Sequence, residues 1–219
     1  MTVQIPDKFK FNSKIYDLLQ EDEDIFLFNP HDYGFDAYDK ASFCWKGHLS
    51  TYSIKDNKLV LSKLEINNTD KVKLNNENPK RGILLSIIYN TKLGSMIDGF
   101  DYKYNNINLD IDYTGTLLIG RDEVECDFDY DYYYYNYVMS PHSYNEVIKL
   151  EFSKGKLINT IDISVDMINL RERLSTEYKN KTYYDTEVDY SELDEIDELL
   201  VSKKIIRLEE INVEDNKML

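Results

Sequence analysis

Phe43-Cys44-Trp45-Lys46-Gly47-His48-Leu49-Ser50-Thr51-Tyr52-Ser53-Ile54, then Lys55-Asp56-Asn57-Lys58, then Leu59-Val60-Leu61-Ser62-Lys63-Leu64-Glu65-Ile66, reads as strand, turn and strand. β-Formers are spread through the first run. Asp and Asn in the middle tolerate turn backbone. In the second strand the apolar residues alternate at 59, 61, 64 and 66, and the alternation slips by one at Ser62-Lys63. Such a slip suits a bulge, one extra residue opposite a partner strand. The whole is a β-hairpin.

A second hairpin lies further along. Val147, Ile148, Leu150 and Phe152 are interleaved with charges, Ser153-Lys154-Gly155 makes a tight turn, and residues 156–163 return. Between the hairpins, Ile107, Leu109 and Ile111 alternate with Asn108, Asp110 and Asp112, and residues 116–119 are again β-like. Gly120-Arg121-Asp122 reads as a turn. Residues 8–11 read as a short strand, and Ile15, Tyr16, Leu18 and Leu19 as one or two helical turns. Residues 25–28 read as a strand ended by Asn29-Pro30. Residues 31–40, 67–81 and 90–99 read as loop, and residues 83–89 as a buried strand or a helical turn.

After residue 163 the period changes. Val165, Met167, Ile168, Leu170, Leu174 and Tyr178 have helical spacing. Ser191 suits an N-cap for a second helix with Leu193, Ile196, Leu199 and Leu200 on one face, and residues 205–208 suit a last strand. The fold class expected is therefore α+β, mainly antiparallel β, a curved sheet or half-barrel of hairpins with C-terminal helices. The division expected is a β-rich domain, 1–163, with an acidic helical extension, 164–219, packed on it.

The first hairpin resembles a family of uncharacterised bacterial proteins with a W-[KR]-G-Y strand–turn–strand motif. Trp45-Lys46-Gly47 matches, with His48 in place of Tyr. Tyr113-Thr114-Gly115-Thr116-Leu117-Leu118-Ile119 resembles that family's W-x-x-G-x-L-x-I segment, and residues 146–158 its closing strands. The resemblance implies a β-rich fold over residues 5–163 and no function. The family's Y-V-H-M-G segment is represented here by Tyr137-Val138-Met139 alone, so its histidine does not carry over.

Hydrophobic residues make up 42% of the 219 and charged residues 31%, a globular composition able to bury a core. Formal net charge is −15. That excess repels nucleic-acid backbones and anionic membranes. A membrane is not an expected partner, nor is DNA or RNA unless the fold hides a small basic patch. A basic protein is. Cys44 and Cys126 lack metal-type spacing and are expected as small buried hydrophobes. No basic-then-apolar leader opens the chain, and no run approaches a membrane span. A cytoplasmic, reducing setting is expected. Oligomeric state is open.

Residues 122–137 carry the feature that most invites a functional reading. Asp127, Asp129 and Asp131 alternate with Phe128, Tyr130 and Tyr132, and Tyr133, Tyr134 and Tyr135 follow. In an extended strand, alternation sets carboxylates on one face and rings on the other. Phenols give large contact area with a polar tip. These residues, with Glu192 and Glu195 of the acidic helix, are the expected partner-binding surface of a non-enzymatic interaction module, an immunity- or inhibitor-type factor. No cofactor or resident metal is expected.

Asp110-Ile111-Asp112-Tyr113-Thr114 matches the D-x-D-x-T of haloacid-dehalogenase-type phosphatases, where alternate carboxylates meet Mg²⁺ at a strand end. Asp110 and Asp112 are thus the catalytic alternative, a Mg-dependent phosphohydrolase. That motif needs a parallel α/β frame, and here another β-like run follows. Asp127, Asp129 and Asp131 also begin like a calcium loop, but Tyr132 replaces the turn glycine and Val138 the closing glutamate. His31, His48 and His142 lie in no nucleophile motif; His48 reads as a cross-strand surface residue. Trp45 reads as core packing. A structural subunit, its tyrosine strand buried against another chain, is the third alternative.

Overall fold

A computed structural model describes residues 4–20, 27–82, 99–124, 126 and 140–180. Its elements are β1 (Lys8–Phe11), β2 (Lys14–Gln20), β3 (His48–Lys55), β4 (Lys58–Ile66), β5 (Lys80–Arg81), β6 (Tyr102–Asp110), β7 (Gly115–Glu123), β8 (Tyr144–Ser153), β9 (Lys156–Asp162) and α1 (Ser164–Asn180). The mainly antiparallel β class expected from the sequence is the class observed. The sheet goes one step beyond a half-barrel. Strands run in the order β3-β1-β2-β7-β8-β9-β4, and β3 pairs with β4, so seven strands close into a barrel-like ring. β6 and then β5 extend from the second edge of β4.

The first hairpin forms as its alternation dictates. Asp56 and Asn57 take positive φ values of 51° and 63°, the turn that matches strand twist. Thr51 faces Lys63 and Tyr52 faces Leu61, so Ser62 is the extra residue of the bulge. The second hairpin turns at Lys154 and Gly155 and carries its own bulge, since Glu151 faces Asn159 and Phe152 faces Leu157. The ring closes where the hairpins meet: the Leu59 amide donates to the Gly155 carbonyl at 2.7 Å, and the Leu157 amide to the Asn57 carbonyl at 3.1 Å.

Several local expectations give way to tertiary context. Residues 15–19 are strand, not helix. Asn12 and Ser13, at φ 47° and 64°, make a two-residue turn that pairs β2 with β1, sending Tyr16 and Leu18 inward and leaving Ile15 half exposed. Residues 43–47 are not strand. The Cys44 amide bonds the Ala41 carbonyl, the Gly47 amide bonds the Cys44 carbonyl, and this tight path leaves Trp45 48% exposed rather than in the core. His48 is buried, not a surface residue; its Nδ1 lies 2.9 Å from the Lys46 carbonyl and its ring meets Phe28 edge-on. Gly120 lies inside β7 instead of a turn. A Cβ there would come within 2.7 Å of Leu19 Cδ1 and 2.8 Å of Tyr144 Cγ. Leu27 and Phe28 are buried without strand structure. Expectations for residues 83–89, 191–200 and 205–208 lie outside the described residues.

The interior is filled by the chain's own side chains. Phe9, Tyr52, Leu59, Leu61, Leu64, Ile66, Tyr104, Tyr113, Leu117, Ile119, Leu150 and Phe152 form one apolar cluster. Helix α1 lies outside, against β8. Met167, Leu170 and Leu174 are buried while Val165 faces solvent, the one-sided pattern of an amphipathic helix. Ser164 fixes the helix start. Its Oγ accepts from the Val147 amide at 3.0 Å and donates to Asp162 at 2.5 Å. Arg171 reaches back to the His142 carbonyl at 3.1 Å and to Asn145 Oδ1 at 2.8 Å.

Gly155 is the position where closure and turn coincide. Its φ is +72°, and an added Cβ would lie 2.5 Å from the Ile111 carbonyl oxygen. Gly155→Ala therefore strains the turn and pushes it from the Ile111 carbonyl; it is expected to lower stability by more than about 1 kcal/mol, read as a lower urea midpoint at unchanged slope.

Candidate partner-binding site around the β7–β8 connection

Asp127, Asp129, Tyr130, Asp131, Tyr132, Tyr133, Tyr134, Tyr135, Glu192 and Glu195 lie outside the described residues. The structure describes what flanks the aromatic run. Residues 124–143 connect β7 to β8, adjacent antiparallel strands that pair from Gly115↔Phe152 to Glu123↔Tyr144. The Val124 amide donates to the Ser143 carbonyl at 2.7 Å, so both limbs of the connection are held together at its base. Asp122 takes φ 61°, the one non-glycine residue of positive φ in β7.

The returning limb is a buried polar knot. Ser140, His142 and Ser143 are each 3% exposed or less. Ser140 Oγ lies 3.0 Å from both His142 Nε2 and Ser143 Oγ. A serine hydroxyl beside an imidazole is the geometry of an activated nucleophile. Here the pair is buried, and it belongs to a 3-10 turn (Pro141–Ser143) packed against α1 and β8.

Beside that base, Glu146 joins three strands. Tyr16 Oη of β2 donates to its Oε1 at 2.5 Å. Lys14 Nζ bonds Oε1 at 2.9 Å, and Arg121 Nε of β7 bonds Oε2 at 3.0 Å. The Tyr16 hydrogen bond, then Lys14 and Arg121, hold the Glu146 carboxyl at about 2, against 4.5 ordinarily, although partial burial works the other way. Burial and the same Glu146 contact push the Tyr16 phenol up to about 12. A carboxylate that stays ionised and a phenol that stays protonated do no acid–base work near neutral pH. The cluster is a latch that ties β2 to β8 across β7. Next to it, Tyr144 donates to Asp17 Oδ2 at 3.1 Å, and burial followed by the Asp17 and Glu123 charges raises its phenol.

Tyrosine here also belongs to the core. Tyr16, Tyr52, Tyr104, Tyr113 and Tyr144 are each 2% exposed or less. Several hydroxyls find internal acceptors, as Tyr104 does at the Val72 carbonyl, 2.5 Å away. The tyrosine-rich composition is therefore partly a packing property.

Asp110 and Asp112 are placed differently from a phosphatase pair. Asp110 ends β6, 61% exposed, and pairs with Lys58 at 2.6 Å. Asp112 is exposed in the short link to β7. Between them the Ile111 amide bonds the Leu59 carbonyl at 3.0 Å, and Thr114 Oγ1 accepts from the Lys154 amide at 2.8 Å. The motif is spent on joining β6, β7 and the β8–β9 turn within an antiparallel sheet. No group of three or more His, Cys, Asp or Glu side chains among the described residues could hold a metal ion.

Neither Cys44 nor Cys126 is in a disulfide. Cys44 is buried, as expected, and donates to the His48 carbonyl at 3.2 Å; burial pushes its thiol up, away from thiolate chemistry. Cys126 is half-buried, less sequestered than expected. Burial and the nearby Lys46 charge lower the His48 imidazole. No helix among the described residues is long and apolar enough to cross a membrane.

The acidic runs read from the sequence hold the net charge. Of the 26 Lys and Arg, 20 lie in the described residues, and of the 41 Asp and Glu, also 20. The described barrel and helix are formally neutral. The whole −15 comes from the other segments, chiefly residues 21–24, 125–131 and 185–198. Comparisons with family models, with curated proteins and with solved structures found no match.

The latch makes a pH prediction. A carboxyl depressed in the fold contributes stability above its unfolded value near 4.5, and the contribution is lost as pH falls toward 2. Solvent reaches part of the cluster, so the contribution is of the order of 1 kcal/mol. Glu146→Gln should destabilise by that amount at pH 7 in urea titrations. The gap from wild type should close as pH is lowered from about 5 toward 2.

Proposed function

We propose that the protein is a non-enzymatic, acidic protein-interaction module of the immunity or inhibitor type, which covers a basic surface of a partner protein. The observation that carries this reading is the segregation of charge: a neutral, internally filled barrel joined to segments that hold all the net negative charge. A scaffold whose core is occupied by its own rings, and whose most prominent carboxylate is latched in place, supports binding rather than turnover. Asp127, Asp129 and Asp131 supply steering charge, and Tyr130, Tyr132, Tyr133, Tyr134 and Tyr135 supply contact area. Glu192 and Glu195 extend the acidic surface. Two cysteines outside any disulfide agree with a reducing, cytoplasmic setting. Membership of the bacterial W-[KR]-G-Y family is part of the same proposal.

Poly-L-lysine serves as a basic probe in rapid-mixing kinetics. Replacing Asp127, Asp129 and Asp131 together with Asn should slow association at low salt by on the order of tenfold. The same three-charge change at exposed Asp32, Asp36 and Asp39 should leave it near wild type. Equal rates for the two variants would remove Asp127, Asp129 and Asp131 from the surface.

A further inference from the structure

Strand register gathers lysines that are scattered along the sequence. On β1, Phe9 and Phe11 turn inward, and Lys8 and Lys10 outward. β1 pairs in parallel with β3, placing Lys8 beside Thr51 and Lys10 beside Ser53. Thr51 in turn faces Lys63 on β4, and Lys63 faces Asn105 on β6. One row over, Leu49, Glu65, Lys103 and Lys80 stand side by side across β3, β4, β6 and β5. Lys55 and Lys58 flank the β3–β4 turn on the same side, where Lys55 Nζ reaches Asn108 Oδ1 at 3.2 Å. The inward residues of these strands, Tyr52, Leu64, Tyr104 and Ile107, belong to the core, so the lysines share the outer face.

That face carries seven lysines against four carboxylates, Asp17, Asp56, Glu65 and Asp110. Lys8 pairs with Asp17, Lys58 with Asp110, and Lys63 and Lys103 share Glu65. Lys10, Lys55 and Lys80 are exposed, with no carboxylate at ion-pair distance among the described residues. Like charges directly opposite in a sheet, as at Lys80 and Lys103 or Lys55 and Lys58, destabilise it. Stability alone does not account for them.

We propose that this outer face of β1, β3, β4, β6 and β5 binds the phosphate backbone of duplex nucleic acid without reading its sequence. The composition selects that partner over a protein. Protein interfaces are depleted in lysine and rely on aromatic and arginine anchors. Phosphate oxygens are bound by lysine together with Ser, Thr and Asn, and between these lysines stand Thr51, Ser53, Asn105 and Asn108. No aromatic side chain is among these outward residues, which leaves nothing to stack unpaired bases and favours a duplex over a single strand. The whole-chain charge opposes the approach, but fields from exposed charges fade over about 8 Å at physiological salt. At contact the local excess of lysine decides. This site is independent of the acidic segments invoked above.

The test is fluorescence anisotropy of a labelled mixed-sequence duplex of about 20 base pairs with the full chain. Binding is expected at about 50 mM salt and should weaken about 40- to 150-fold at about 200 mM, as neutralising three or four phosphates requires. Lys10→Gln, Lys55→Gln and Lys80→Gln should each lower the salt slope by about 1. Arg173→Gln, an equal change of charge on α1, should leave it unaltered. Thermal melts that match wild type keep each variant interpretable. No binding at low salt, or binding indifferent to all three lysines, overturns the proposal. So does lysine-dependent binding of poly-L-glutamate in place of the duplex, which would assign the face to an acidic polypeptide.

Discussion

Everything in this fold depends on β4 serving three neighbours. One of its edges is taken along its length by β3. The other is shared, by β9 at Lys58 and by β6 from Val60 onward. The short link at Leu59 and Gly155 is what turns a row of hairpins into a ring. Closure joins β9 to β4 at Lys58 and so covers part of the edges that a curved sheet would leave for unwanted pairing. It also turns alternate side chains of β1 to β4, β7 and β8 toward one interior, which explains why tyrosines and leucines from strands far apart in sequence pack as one cluster. The Ser62 bulge keeps the alternation correct on both sides of β4 while the strand bends.

Electrostatics then divides the molecule into parts with different tasks. The Glu146 latch neutralises itself: its carboxylate is matched by Lys14, Arg121 and a phenol, and its low value near 2 makes it indifferent to neutral-range pH. The lysines of the opposite strands are left in excess, and the net negative charge is confined to segments outside the described barrel and helix. A whole-chain charge of −15 is thus a poor guide to any one face. At ordinary ionic strength a partner feels the nearest surface, not the sum. The same chain therefore presents chemistry for a basic protein in one part and for a polyanion in another.

Reading the residues in order was enough for both long hairpins, for the bulge at Ser62 and for the first C-terminal helix. Each rests on information held within a few residues: alternation, an Asp-Asn or Lys-Gly turn, or helical spacing. Reading failed where a distant neighbour decides. Ile15 to Leu19 satisfies a helical pattern and a strand pattern alike, and only β1 and β7 on its flanks resolve the matter. Trp45 looked like core until the turn beneath it left the ring half in solvent. Gly120 looked like a turn until Leu19 and Tyr144 were found crossing over it.

By itself, then, the sequence determined a mainly antiparallel β protein of two hairpins and more, a terminal helix, and a strong overall acidity. Those follow from periodicity and composition, which are local or additive quantities. Tertiary structure alone decided that the sheet closes, that Glu146 latches β2 to β8, and that lysines from residues 8 to 103 share one outer face. Each of those requires register, and register is set by which strands meet in space, a relation that no window of neighbouring residues contains.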